Sequence, residues 1–167
     1  MNHYGRRHHL GMNSHADNEV ECDCLKLDEA IHRKFGAQRH IFAALVMKCH
    51  PRSVLACQVS IDHDPAWALY QAIEQSTVYL REGHLRNCSY RIDCGNDKDE
   101  SRLRQLLAPY GATVVFQSAY LKPYVERCFR LLQGAVREHY HGDPSRPGDM
   151  VRLRRFLAEW INTHQST

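Results

Sequence analysis

The chain has 167 residues, 43% of them hydrophobic and 25% charged, enough for one domain with a real core. No apolar run reaches the roughly 20 residues that span a bilayer, and the N-terminus lacks an apolar signal-peptide core, which implies an intracellular chain. A net charge of +3 does not by itself argue for nucleic acid, although arginines gather between Arg127 and Arg155.

Residues 1–18 are polar and aperiodic, and predict a flexible lead-in to a single core over 19–167. His3, His8, His9 and His15 belong to that lead-in and read as part of it rather than as a metal site. Residues 20–27 read as a first strand and 28–39 as a charged connector. The apolar runs His40 to Cys49 and Ser53 to Ile61, parted by the turn-like His50-Pro51-Arg52, predict an antiparallel pair. Asp64-Pro65 opens a helix, with Asp as cap and Pro at the first helical position. Ala66, Leu69, Ala72 and Ile73 give that helix an apolar face. A fourth strand ends at Asp93. A second helix covers about 99–109, with Leu103, Leu106 and Leu107 inward and Gly111 to stop it. Ala112 to Phe116 is a fifth strand. A third helix runs from Lys122-Pro123 to about Tyr140, with Val125, Phe129, Leu132 and Val136 as its buried stripe. After a polar loop at 141–148, Asp149 caps a last helix whose inner face is Leu153, Phe156, Leu157, Trp160 and Ile161. Three early strands followed by strand–helix alternation predict an α/β fold. Its sheet is mixed and five-stranded, with helices on both faces. Strand four falls beside strand one, so Asp23 and Asp93 lie on neighbouring strands.

The seven cysteines sit mostly inside apolar runs and read as reduced, buried residues. Cys22 and Cys24 form a lone C-x-C, without the paired spacing of a structural zinc module. The carboxylates say more. Strands disfavour Asp, so Asp23 inside a strand and Asp93 at a strand end each need a reason. Each has a plain alternative: an edge residue facing water for Asp23, a turn start for Asp93. Glu126 shares a helix face with Arg130, Gln133 and Arg137, which alone could be a solvated ion-pair row. Together, two strand acids and one helix acid could converge on hard divalent cations, the chemistry of phosphodiester cutting and joining.

The order of these motifs resembles the retroviral-integrase superfamily, and more closely the catalytic cores of bacterial DDE transposases of the Mu-like and integrase types. The match rests on Val20-Glu21-Cys22-Asp23, Asp64-Pro65-Ala66-Trp67-Ala68-Leu69, Arg91-Ile92-Asp93-Cys94-Gly95, Leu106 to Gly111, Glu126-Arg127-Cys128-Phe129-Arg130 and Leu157 to Ile161. It covers about residues 19–164. Cys94 stands where the family has Asn, Asn96 to Glu100 departs from its usual sequence, and Ser118 to Tyr124 is shorter than its active-site loop. The resemblance implies an RNase H-like fold and Mg²⁺- or Mn²⁺-dependent DNA cleavage and strand transfer. Asp23, Asp93 and Glu126 would be the catalytic metal ligands, with Lys122, Arg127 and Arg130 as candidates for contacting DNA phosphates. It implies DNA partners (transposon ends and target), a homo-oligomer assembled on DNA, no membrane, and a bacterial cytoplasmic, nucleoid-associated location. The family's flanking DNA-binding domains are not seen in this sequence, so the chain reads as a core fragment or minimal relative with weak DNA binding. A non-catalytic RNase H-like module that binds DNA or protein, and a nuclease or resolvase on the same fold, are the alternatives.

Overall fold

The computed structural model describes residues 18–27, 40–61, 64–93, 97–116, 122–143 and 146–164. The elements in chain order are β1 (Glu19–Lys26), β2 (Ile41–Lys48), β3 (Ser53–Ile61), α1 (Pro65–Arg81), β4 (Ser89–Ile92), α2 (Asp97–Leu107), a 3-10 turn (Ala108–Tyr110), β5 (Thr113–Phe116), α3 (Pro123–His139) and α4 (Pro147–His164). The predicted lead-in up to residue 17, the charged connector 28–39 and the loop before α3 at 117–121 lie outside the described residues.

The strands form one sheet in the order β3-β2-β1-β4-β5. β1 pairs antiparallel with β2, and β2 with β3, while β1–β4 and β4–β5 are parallel. This is the predicted arrangement, and it puts β1 at the centre. Period-two alternation splits β1 between two cores. Val20 and Cys22 join Ala44, Val46, Tyr90 and Ile92 under α1 and α2. Leu25 and Leu27 join Ile41, Ala43, Leu45 and Met47 under α3 and α4. The predicted stripe of α3 is buried as expected, and Leu153, Leu157 and Trp160 bury the inner face of α4. Among the described residues no helix is long and apolar enough to cross a membrane.

Local chemistry explains most element ends. The Asp64 side chain accepts the Ala66 N–H at 2.9 Å, and Pro65 occupies the first turn of α1. Gly111 stops the turn after α2 in the left-handed region, at φ 67°. A Cβ there meets no atom within 4 Å, so Gly111→Ala is a pure backbone test. It should cost about 1–2 kcal/mol by chemical denaturation. The start of α4 corrects the sequence reading. The helix begins at Pro147, and Asp149 lies inside its first turn instead of capping it. Proline suits the first helical turn, which moves the start ahead of the acid. Asp149 instead accepts the Asp143 N–H at 3.1 Å and pairs with Arg152 at 3.2 Å.

The six described cysteines are free thiols. Burial pushes Cys24, Cys49 and Cys57 up to about 12 and moves Cys22 the same way. They serve as small buried apolar groups.

Candidate active site

The register of β1 and β4 positions the two strand acids. The last ladder pair is Cys22 opposite Ile92, so Asp23 and Asp93 each come next on adjacent parallel strands. Both line a cleft of about 480 Å³, together with Asp64, Trp67 and Tyr70 from the start of α1, and Asp99 and Arg102 from α2. Asp93 is exposed, whereas the Asp23 side chain keeps 21% of its surface. The Arg102 guanidinium lies 3.8 Å from the Tyr70 ring centroid and forms one wall. Trp67 forms another and is 39% exposed. Asp64 is engaged as the α1 cap.

Glu126 is exposed in the first turn of α3. It shares a shallower depression with Asp23, Arg130 and Gln133. Asp23 is therefore common to both hollows. The structure brings Asp23 to Asp93 on one side and Asp23 to Glu126 on the other. Among the described residues, no three His, Cys, Asp or Glu side chains form a group poised to hold a metal ion.

Lys122 departs from its expected place. As a phosphate contact it should face solvent, but it is 0% exposed. Its Nζ lies 3.0 Å from Asp23 Oδ2 and donates to the Cys22 carbonyl oxygen at 3.2 Å. A buried ammonium needs such partners, and these draw it into the protein, away from any nucleic-acid surface. Arg127 lines a separate groove with Arg52, Tyr124, Leu131, Trp160 and His164. Arg130, beside Glu126, is the one of the three basic candidates that is exposed and also adjoins the acids.

Glu21 was not anticipated as a site-building residue. It is fully buried, and its Oε2 accepts the N–H groups of Tyr124 at 3.0 Å and Val125 at 2.9 Å. Those are orphan donors of the first turn of α3, whose own cap residue, Lys122, supplies no side-chain hydrogen bond. The strand thus caps the helix from across the fold. Burial raises the Glu21 carboxyl above its ordinary value of 4.5, against the pull of the two amides, Arg91 and Lys122. Two signals were present in the sequence. No Ser, Thr, Asp or Asn precedes Pro123 to cap α3, and Glu19, Glu21 and Asp23 alternate onto one face of a central strand.

The donor set suits a hard cation at the Asp23–Asp93 pair. Asp23 Oδ1 accepts the Cys24 N–H at 2.8 Å and Oδ2 takes Lys122. A carboxylate offers about four lone-pair sites, so Asp23 retains capacity for one ion shared with exposed Asp93. Oxygen donors alone are what Mg²⁺ prefers.

No family model and no curated protein matches the sequence. Solved structures do. A chain of the simian T-cell lymphotropic virus intasome in complex with the PP2A regulatory subunit B56 gamma superposes on 85% of this chain, with a TM-score of 0.59 and 11% identity. A chain of the Mos1 transposase paired-end complex with left transposon end superposes on 88%, with a TM-score of 0.55 and 13% identity. This chain spans about half the length of each, 48% in both cases. The fold, a five-stranded mixed sheet flanked by helices, is shared with these intasome and transposase chains.

Proposed function

We propose that this chain is the catalytic core of a DNA transposase or integrase, a metal-dependent polynucleotidyl transferase. One observation carries the reading. On an integrase- and transposase-like fold, Asp23 and Asp93 follow one another across adjacent parallel strands and open onto one cleft, and Glu126 adjoins Asp23 from the head of α3. Asp23 and Asp93 would hold Mg²⁺ or Mn²⁺, and Glu126 would complete the set from the helix. A divalent ion bound there supplies Lewis-acid stabilisation of the phosphoryl oxygens and a nucleophile at neutral pH. The chain's own residues do the rest. The carboxylates repel phosphate until they are neutralised, which ties DNA entry to the cation. Arg130, next to Glu126, is placed to take a backbone phosphate without reading sequence. The DNA partners, assembly as an oligomer on paired ends, and a cytoplasmic, nucleoid-associated location belong to the same proposal.

The test compares wild type with Glu126→Gln on branched and linear DNA in Mn²⁺. Slow nicking or disintegration of the branched substrate should be seen in wild type and lost in the variant. Activity unchanged by the substitution overturns the metal mechanism. Joined products, not only cut ones, separate a transposase from a nuclease or resolvase. The Lys122–Asp23 pair favours a second reading, a non-catalytic module that binds DNA or protein, because one site acid already has a partner. Absence of nicking from both proteins, with no saturable Mn²⁺ binding by wild type, would select that module.

A further inference from the structure

We infer that Lys122 is a fixed cation built into the site: its ammonium, seated on Asp23, repels a second divalent ion from that carboxylate, so the chain holds one such ion instead of two. This inference rests on the catalytic reading above and adds the number of ions to it.

Lysine is almost never fully buried unless something pays for its charge, and Lys122 is 0% exposed. Its contacts are specific. Nζ meets Asp23 Oδ2 at 3.0 Å and the Cys22 carbonyl at 3.2 Å, both on the central strand. Its backbone stands immediately ahead of α3, and the Glu126 N–H closes the first turn on the Lys122 carbonyl at 3.2 Å. The ammonium therefore reaches Asp23 from the same helix end that carries Glu126. An ion shared by Asp23 and Glu126 would stand beside that ammonium, and like charges this close repel. Asp23 Oδ1 accepts a backbone amide and not the ammonium, which leaves it the more open of the two oxygens to a cation shared with Asp93.

Charge acts in the same direction locally. Lys122 is already a buried cation against Asp23, so a second divalent ion on that carboxylate would set two like charges side by side. Lys122 is in this sense a positioning residue: it orients Asp23 and supplies charge without touching DNA.

The experiment counts Mn²⁺ on the whole chain by calorimetric titration and by electron paramagnetic resonance. Wild type should bind one ion, lost in Asp93→Asn. Lys122→Met frees the oxygen and removes the charge, so it should bind two ions with the spectrum of a coupled pair. Lys122→Arg should keep one. A merely structural lysine would leave the number unchanged, so one ion in both wild type and Lys122→Met overturns the inference. Two ions in wild type also overturn it, while leaving the catalytic reading intact. No binding by either folded protein overturns the catalytic reading, and this inference with it. If Lys122→Met does not fold, wild type and Lys122→Arg decide: one ion supports the inference and two overturn it.

Discussion

Glu21→Ala should remove about 3–5 kcal/mol of stability, read by chemical denaturation. Glu21 is 0% exposed and holds two first-turn amides of α3. Truncation orphans both donors and removes a carboxylate from the surroundings of Lys122 and Arg91. Since a domain's whole stability is of order 5–15 kcal/mol, the loss is a large share. Glu21→Gln is the sharper variant, because its amide oxygen can still accept from the helix. Its effect depends on pH with a definite sign. The wild-type carboxyl titrates above its ordinary value of 4.5 because burial disfavours its charge. Such a group stabilises the fold fully below its unfolded value, and that contribution is lost as pH rises through the folded value. Glutamine has no proton to lose. The stability of Glu21→Gln relative to wild type should therefore climb as pH rises from about 4.5 and level off above the folded value. A difference that stays flat, or falls with pH, would show that the amides and cations outweigh burial.

Asp93→Asn should lower the rate of Mn²⁺-dependent cleavage of branched DNA by about 10³-fold, roughly 4 kcal/mol in the barrier. Asp99→Asn is the control, since Asp99 lines the same cleft from α2. It should change the rate by no more than a few-fold. The distinction follows from the sheet. Asp93 follows Ile92, the residue paired with Cys22, so it and Asp23 stand at the end of a shared backbone ladder. Asp99 is carried by α2, outside the β1–β4 ladder. If Asp99→Asn abolished cleavage and Asp93→Asn did not, the second acid of the site would be Asp99. Thermal melts of both variants guard against a trivial loss of fold.

The sheet was legible in the sequence because each strand and helix carried its own local signal. The Asp64-Pro65 cap, the stop at Gly111 and the stripe from Val125 to Val136 are encoded within a few residues, and all three stand in the structure. The adjacency of Asp23 and Asp93 was legible too, because strand order follows from the run of three strands and the parallel crossover. The environments of Lys122 and Glu21 were not. Both depend on contacts about a hundred residues apart in the chain, which composition and periodicity do not carry. A lysine ahead of a basic helix reads as a surface charge, and only tertiary packing shows it inside. Asp149 misled for a local reason: it looks like a cap, but Pro147 two residues earlier already starts the helix.

β1 has a paired neighbour on each side, so its amides face two ladders. Exchange of those hydrogens with solvent should be among the slowest in the molecule, and should track global unfolding. The head of α3 is held to that strand through Glu21 and Lys122, side chains instead of a ladder. The amides of Tyr124 and Val125 can open when that clasp lets go, while the sheet stays intact. The site therefore joins acids set by a backbone ladder, Asp23 with Asp93, to groups set by side-chain contacts, Lys122, Glu126 and Arg130.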